Sequence, residues 1–357
     1  PPADGPKGGI TGLVLGDGEP IADATVILAE PRGTPYVGRT DRDGRYTIDD
    51  VPTGRYVPAA VAPGYSEAVL RGEDGTPIIL DVVADTATEA PPLRLHTIER
   101  LTLPADLAAA VDLTLTDSFT ATAAFPPGAT AQVLSYEFTY NEATVDTLRL
   151  YLPLDGAPDE QLPLLFFSYP GHVDGWQDVS VAFADQGYAL VALSPVGARG
   201  LDIDDQTADA KVALQLALDG TLSPTIDATK HAIALGGSFT SAIVQRLVQA
   251  EPERFAAWVT LGGIADGFML AEAFYAGDIQ VPPSYALAIP SFGQPNLQPL
   301  DILRYSPVYK ANHLPPALVI HTSADAILPI EQAYALANAL EAAGVPVETF
   351  YYDDVSH

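Results

Sequence analysis

Ser238 follows a strand-like segment and precedes a helix-like one, which is where a nucleophile on a tight strand-to-helix turn would lie. The apolar run 231–235 comes before it, and the run 241–248, with helical spacing, comes after it. Such a turn admits only small neighbours, and Gly236 is one of them. The pattern G-x-S-x-G has a second glycine where this chain has Thr240, so the serine needs support from residues elsewhere in the chain.

Asp325 and His357 could supply the acid and the base that a serine nucleophile needs. Asp325 comes after the apolar run 317–321, and His357 is the only histidine downstream of it. A serine hydroxyl is a poor nucleophile until a base takes its proton, and the base needs a carboxylate that fixes its tautomer. The order and context of the three residues predict a triad of Ser238, Asp325 and His357.

Each candidate also has a structural interpretation. A serine after a strand is often a helix cap, and Asp325 could likewise cap the helix that follows it. Asp266 is the second candidate for the acid, because it too follows an apolar run. Asp353 and Asp354 lie too close in sequence to His357 for the usual geometry.

The elements that must position these residues alternate between apolar runs and helical stretches. Runs that are continuously apolar are typical of strands buried on both faces, and their alternation with helices predicts a mostly parallel sheet with helices on both sides. Two earlier segments alternate instead and suit antiparallel opening strands, 133–140 and 146–152. The continuous runs are 162–167, 189–193, 231–235, 256–260, 317–321 and 347–352.

Residues 8–95 have the pattern of a small, separate β-sandwich. Segment 40–48 indicates two strands joined by an Asp-Gly turn, in which Gly44 allows a positive φ. Asp41 and Asp43 suit turn chemistry better than calcium binding, since no distal glutamate completes a ligand series. Residues 96–130 are either a connector or an extra β edge of the next domain.

From about residue 131 to 357 the chain resembles the α/β-hydrolase superfamily, in particular its dienelactone hydrolase and prolyl oligopeptidase-like branches. The motifs stand in the family's order at 169–172, 236–240, 320–329 and 353–357. The resemblance implies an α/β-hydrolase fold and the order Ser, Asp, His in the triad. The family normally continues beyond the histidine, so a trimmed sequence or a mobile loop end is expected there.

The same resemblance implies where the oxyanion of the tetrahedral intermediate is stabilised. The backbone N–H of Phe239 and one from the loop 170–172, that of His172, are the expected donors. Gly171 would let this loop approach closely. Residues 8–95 in turn resemble the carboxypeptidase regulatory-like domain, a transthyretin-like sandwich that usually acts as a structural or adhesive appendage.

An insertion at about 264–316 is expected to cap the active site. Its many prolines and aromatic side chains suggest a pocket for an acyl or aromatic group, the alternative being a solvated connection with a few core anchors. The expected substrate-binding residues are Tyr169, Trp176, Phe268 and Phe292. Tyr275, Tyr285 and Tyr305 belong to the same aromatic set.

The composition of the chain argues against some classes of binding partner. Lys and Arg number 17 against 46 Asp and Glu, a formal net charge of −29, and such a surface repels nucleic acid and anionic lipid. The apolar runs are shorter than the ~20 residues of a membrane helix, and cysteine is absent. The six histidines are dispersed, so no metal or other cofactor is expected, and His313 and His321 are interpreted as structural. A missing leader and an extracellular or cell-envelope location are expected.

The preferred function is that of a serine hydrolase that cleaves carboxylic esters, small or polymeric, through an acyl-enzyme. A prolyl oligopeptidase-like serine peptidase is the second interpretation, although the N-terminal part is too short for that family's β-propeller. The third is a catalytically inert surface protein used for binding or adhesion. The sequence does not indicate an oligomeric state.

Overall fold

The computed structural model describes residues 5–99, 101–154, 161–283, 286 and 289–357. Strands β1 to β11 form an N-terminal β-rich domain, and the rest of the chain is built around one large sheet. Tyr285 of the predicted aromatic set lies outside the described residues. In the described part, no helix is long and apolar enough to cross a bilayer.

The N-terminal domain consists of short sheets around a core of its own. One sheet is organised about β1, and a second has the order β4-β3-β7-β8. The side chain of Asp41 accepts hydrogen bonds from the N–H groups of Asp43 and Arg45, so this acidic pair stabilises its own turn, with Gly44 at φ +74°. The strands are β1 Lys7–Gly16, β2 Glu19–Pro20, β3 Thr25–Ala29, β4 Pro35–Arg39, β5 Arg45–Pro52, β6 Gly54–Tyr56, β7 Ala59–Val61, β8 Ala68–Val69, β9 Leu80–Val82, β10 Ala87–Glu89 and β11 Leu93–Leu95.

The large sheet has nine strands in the order β12-β13-β14-β16-β15-β17-β18-β19-β20. Pairing is antiparallel from β12 through β14 to β16, and parallel from β16 onward. This confirms the α/β-hydrolase fold class predicted from the alternating and continuous apolar runs. The strands are β12 Thr114–Thr122, β13 Thr130–Tyr140, β14 Ala143–Pro153, β15 Leu164–Ser168, β16 Ala189–Leu193, β17 Ala232–Gly237, β18 Phe255–Leu261, β19 Ala317–Thr322 and β20 Val347–Tyr352.

Helices cover both faces of this sheet and bury most of its apolar runs. The prediction that 347–352 is buried on both faces is wrong, because β20 is an edge strand and is largely exposed. Strands β15 and β16 are buried along their whole length, as expected for parallel strands covered on two sides. The helices are α1 Leu107–Ala110, α2 Gln177–Asp185, α3 Ile203–Leu218, α4 Thr240–Ala250, α5 Gly267–Ala276, α6 Pro299–Arg304 and α7 Glu331–Ala342. Short 3₁₀ turns at 173–176, 197–199, 252–254, 289–292 and 307–313 connect them.

The segment between β18 and β19 packs on the N-terminal domain through an apolar cluster that both parts share. We call the buried members of this group the interdomain cluster. Strands β3 and β7 contribute side chains from one side, and α5 and α6 from the other. Its buried members are Ile27, Ala29, Val57, Ala59, Val61, Val69, Phe268, Ile302 and Leu303.

A buried group of charges joins the same two parts. Glu67 of the N-terminal domain pairs with Lys310 at 2.5 Å and with Arg246 of α4 at 2.9 Å, and Arg246 also pairs with Asp204 at 2.5 Å. Burial alone would raise the pKa of Glu67, but the charges of Lys310 and Arg246 outweigh it and hold that pKa well below its usual value. The helix that follows Ser238 is thereby tied to the N-terminal domain.

Candidate active site

Ser238, Asp325 and His357 lie at the carboxyl ends of neighbouring parallel strands. Ser238 follows β17, Asp325 follows β19 and His357 follows β20. These strands are close together in the sheet order β17-β18-β19-β20. Because parallel strands end at the same edge of a sheet, three residues spread over 119 positions in sequence meet at one place.

Ser238 has the strained backbone expected for a residue on a sharp strand-to-helix turn. Its φ is +46°, a region that non-glycine residues rarely occupy. A Cβ atom at Gly236 would lie 2.8 Å from the carbonyl oxygen of Thr240, so only glycine fits at that position. The N–H of Ser238 donates to the carbonyl oxygen of Leu261 at 3.0 Å, which ties the turn to the end of β18.

Thr240, which stands in place of the second glycine of the pattern, is fully buried and makes specific hydrogen bonds. Its Oγ1 accepts from the N–H of Gly237 at 3.0 Å and lies 2.6 Å from the carbonyl oxygen of Ser168. The hydroxyl therefore links the start of α4 to the end of β15. The sequence predicted that a larger side chain must be accommodated here, but gave no indication of these hydrogen bonds.

The imidazole of His357 connects the hydroxyl of Ser238 to the carboxylate of Asp325. Nε2 of His357 lies 2.8 Å from Oγ of Ser238, and Nδ1 lies 2.6 Å from Oδ2 of Asp325. The side chain of His357 remains 22% exposed, whereas that of Asp325 is fully buried. With Nδ1 protonated, Nε2 is the atom that can accept the hydroxyl proton.

Asp325 is held as a carboxylate by its hydrogen-bond donors. Burial by itself would raise the pKa of Asp325, but hydrogen bonds from His321, His357 and the backbone N–H groups of Leu328 and Ile327 outweigh it and lower that pKa below its usual value. The two backbone donors lie 2.8 and 2.9 Å from Oδ1, which leaves Oδ2 to face the imidazole. An ionised carboxylate in this position stabilises an imidazolium.

His321 lies beneath the acid and supports the loop that carries it. Its Nε2 is 2.7 Å from the carbonyl oxygen of Leu328 and 3.4 Å from Oδ2 of Asp325. The sequence indicated only a structural histidine here, although its position four residues before the acid would have been a signal. The contact identifies His321 as a residue that positions Asp325.

The two residues expected to form the oxyanion hole line a common depression, and Phe239 directly follows the nucleophile. Phe239 precedes the first residue of α4, and Gly171 has φ +92°. His172 and Phe239 line one depression, and Phe239 also borders the cavity beside Ser238. The ring of His172 accepts a hydrogen bond from the N–H of Asp174 at 3.3 Å, so its side chain caps a turn.

The alternative acids have other surroundings. Asp266 caps α5 by accepting from the N–H groups of Phe268 and Met269, and it also accepts a hydrogen bond from the hydroxyl of Tyr309 at 3.0 Å. Burial raises the pKa of Asp266 and outweighs the opposing effect of these hydrogen bonds. Asp353 is exposed, so Asp325 is the carboxylate that the structure places against His357.

An open, mostly apolar cavity adjoins Ser238. The insertion after β18 supplies most of its wall, together with the loop that follows Asp325. The described lining residues carry no charged side chain, and their character is aliphatic and aromatic. They include Leu201, Phe239, Ile264, Leu270, Ala271, Tyr275, Val281, Phe292, Ile302, Tyr305, Ile327 and Leu328.

Of the four predicted substrate-binding residues, Phe292 borders this cavity and the other three do not. Phe268 was predicted to line the pocket, but this is wrong, because its ring is fully buried in the interdomain cluster. Tyr169 is also fully buried, with its hydroxyl against Ser180. Trp176 stacks on Tyr169 and donates to the carbonyl oxygen of Pro170 at 3.0 Å, so it supports the loop 170–172 from behind.

Family comparisons identify both parts of the chain. Residues 9–116 match the carboxypeptidase regulatory-like domain, and residues 179–357 match the prolyl oligopeptidase family. A probable dipeptidyl-peptidase 5 from Aspergillus niger is 26% identical over 251 residues, which cover 62% of this chain and 32% of the relative. The chain therefore spans about a third of that relative's length.

Two solved structures share the fold at low sequence identity. The acylaminoacyl peptidase of Pyrococcus horikoshii matches with a TM-score of 0.51 at 14% identity, covering 93% of this chain and 50% of that one. An acetyl xylan esterase from Paenibacillus sp. R4 matches with a TM-score of 0.51 at 14% identity, covering 72% and 91%. Peptidases and esterases thus share this architecture, and the chemistry of the site has to decide between them.

Proposed function

Since the chain belongs to the prolyl oligopeptidase family of serine hydrolases, we propose that it hydrolyses carboxylic esters by forming an acyl-enzyme on Ser238. The observation that carries the proposal is the continuous contact from Ser238 through His357 to Asp325, with separations of 2.8 and 2.6 Å. The apolar cavity beside Ser238 supports an acyl group as the part of the substrate that is bound most extensively.

The reaction takes place in two proton-balanced halves. His357 Nε2 takes the hydroxyl proton of Ser238 as Oγ attacks the ester carbonyl carbon, and the same nitrogen then gives that proton to the departing alcohol oxygen. In the second half, His357 Nε2 takes a proton from water as the water oxygen attacks the acyl carbonyl carbon, and it then returns this proton to Oγ of Ser238 as the bond between Oγ and the acyl group breaks and the acid leaves. Asp325 stabilises the imidazolium in both halves, and backbone N–H groups at Phe239 and His172 stabilise the oxyanion.

The charge character of the cavity favours an ester with an apolar acyl group. A dipeptidyl peptidase has to bind a free α-amino group, which is positively charged at neutral pH, and a buried cation needs an anionic partner. Among the described residues that line the cavity there is no acidic side chain. An acyl chain or an aromatic acid needs no such partner.

A serine peptidase is the second candidate. It is supported by the family itself and by the fungal relative named a probable dipeptidyl-peptidase 5. The acyl-enzyme chemistry is the same for an amide, so the triad does not discriminate between the two substrates. Only the relative rates for substrates with different leaving groups and acyl groups discriminate between an esterase and a peptidase.

The test is hydrolysis of p-nitrophenyl esters from acetate to decanoate beside a dipeptidyl p-nitroanilide that contains proline. We expect kcat/KM to be higher for the esters and to rise with chain length up to the size of the cavity. In Ser238→Ala, the ester rate is expected to fall by a factor on the order of a million. The matched control is Ser118→Ala on the exposed outer strand β12, which should retain the wild-type rate.

Two results would overturn the proposal. Faster cleavage of the anilide than of every ester would favour the peptidase. An inactive wild-type protein whose Ser238 also fails to react with a fluorophosphonate would favour the third interpretation, an inert binding protein.

A further inference from the structure

We infer that the N-terminal β-domain sets the size of the acyl cavity, by holding the outer surface of the cap helices whose inner surface lines it. The inference rests on the proposed function in taking the cavity beside Ser238 as the acyl site. It assigns to the N-terminal domain a role in substrate selection, with Gly33, Phe268 and Ile302 as positioning residues.

Helix α5 has a different neighbour on each of two adjacent sides. Gly267, Leu270 and Ala271 line the cavity, at a spacing that puts them on one face of a helix. Phe268, next to them, is fully buried in the interdomain cluster. On the same outer side, Glu272 accepts a hydrogen bond from the hydroxyl of Thr34 at 2.8 Å. A displacement of α5 on the N-terminal domain therefore moves the cavity wall.

Helix α6 and the segment before it are held in the same way. Ile302 belongs both to the interdomain cluster and to the cavity wall. The backbone carbonyl oxygen of Asn296 accepts a hydrogen bond from the N–H of Val57 at 2.8 Å. Its side-chain Nδ2 donates to the carbonyl oxygen of Arg55 at 2.9 Å. Gly293, close to Asn296 in sequence, lines the cavity.

Gly33 of the N-terminal domain packs tightly against the main chain of α5. A Cβ atom at Gly33 would lie 2.4 Å from the carbonyl oxygen of Phe268 and 2.7 Å from the backbone nitrogen of Glu272. Both atoms belong to the main chain of the helix, so a methyl group cannot be accommodated by a change of rotamer. Either α5 or the turn that carries Gly33 has to shift, and both changes alter how the N-terminal domain holds the helix.

The test compares Gly33→Ala with a matched substitution. Gly18 has a positive φ of +98°, as Gly33 has at +126°, but its Cβ would meet nothing within 4 Å. Gly18→Ala therefore introduces backbone strain in the same domain without contact with the cap. For each full-length protein, we would measure the rate at which ethyl and octyl fluorophosphonates inactivate Ser238.

We expect Gly33→Ala to lower the octyl-to-ethyl ratio of inactivation rates by about tenfold, the effect of a small steric change in an apolar pocket. Gly18→Ala should keep the wild-type ratio. If Gly33→Ala does not fold, Phe268→Leu replaces it, because this change loosens the interdomain cluster without altering a side chain that lines the cavity. Ratios equal to wild type in folded Gly33→Ala or Phe268→Leu would overturn the inference.

A second measurement separates this inference from the proposed function. In a Ser238→Ala background, calorimetry would compare the affinity for 2-decanone with that for 2-butanone. This measurement requires no reaction at Ser238. If wild-type Ser238 is unreactive, the proposed function fails. The ketone affinities still show whether the N-terminal domain sets the size of the cavity. An unchanged preference for 2-decanone in Gly33→Ala would again overturn the inference.

Discussion

Oγ1 of Thr240 lies 2.6 Å from the carbonyl oxygen of Ser168, so the first residue of the nucleophile helix is bonded to the neighbouring strand β15. The same oxygen accepts from the N–H of Gly237. Where the usual pattern of this turn has a glycine, this chain has a buried hydroxyl that satisfies two backbone groups. The departure from the pattern is thus compensated locally.

Thr240→Val should therefore destabilise the protein more than its nearly unchanged volume suggests. The substitution leaves the carbonyl of Ser168 and the N–H of Gly237 without their partner, at a cost of about 1–3 kcal/mol for a buried unsatisfied group. Thr240→Ser keeps the hydroxyl and should stay closer to wild type. Urea unfolding of the three proteins measures the difference, and equal stabilities of the valine and serine variants would contradict this assignment.

Asp325→Asn should leave the fold intact and lower kcat by about four orders of magnitude, because an amide favours the wrong imidazole tautomer and cannot stabilise the imidazolium. The control is Asp353→Asn, in which an exposed carboxylate close in sequence to His357 is neutralised. Steady-state ester hydrolysis measures both. A large loss in Asp353→Asn with little change in Asp325→Asn would show that the acid has been misassigned.

Ala271→Leu should reduce activity selectively on long acyl chains. Ala271 is buried in the wall of the cavity, so a larger side chain occupies space that the distal part of a long chain needs. We expect p-nitrophenyl decanoate to lose about tenfold or more in kcat/KM while acetate changes little. Ala276→Leu, at an exposed position of the same helix, should leave the chain-length profile as it is.

Glu67→Gln should destabilise the protein by about 3–5 kcal/mol near neutral pH, because Lys310 and Arg246 then remain buried with their shared partner neutralised. Glu99→Gln, an exposed change at a residue that lines the same surface depression as Glu67, should stay within about 0.5 kcal/mol of wild type. Denaturant unfolding at pH 7 provides both values.

The pH dependence of this contribution has a definite sign. The pKa of Glu67 is lowered on folding, so its stabilisation is complete above the unfolded glutamate value of about 4.3 and is lost as the pH falls toward the folded value. Burial and the charge of Lys310 lower the pKa of the nearby His313 to about 4. The informative quantity is therefore the difference between wild type and Glu67→Gln, which should shrink below about pH 4. A difference that stays constant with pH would argue against an ionised Glu67.

The sequence predicts well those parts of the molecule in which a local pattern of residues is compatible with only one kind of structure. Most of the continuously apolar runs became buried parallel strands, such as β15 and β16, whereas 347–352 became the exposed edge strand β20. Ser238, Asp325 and His357 come together because each follows a strand in the parallel part of the sheet. Their geometry is thus a consequence of sheet topology.

The parts that sequence could not predict depend on which neighbour a side chain meets. Phe268 and Phe292 are both aromatic residues of the cap, yet one packs against the N-terminal domain and the other borders the cavity. No local pattern distinguishes them, because the partner of Phe268 lies about 200 positions earlier in the chain. The hydroxyl of Thr240 likewise gains its role from a contact with a separate strand, β15.

The interdomain cluster also has a consequence for biosynthesis. Strands β3 and β7 pack their own core within the N-terminal domain, but their second apolar face, with Ile27 and Ala59, is covered only after Phe268 has been synthesised. Roughly 200 residues separate these segments, which corresponds to about 10–40 s at typical elongation rates. During that interval the nascent chain carries an uncovered apolar surface on an already folded domain. Slower translation of the intervening stretch would lengthen the time in which such chains can aggregate.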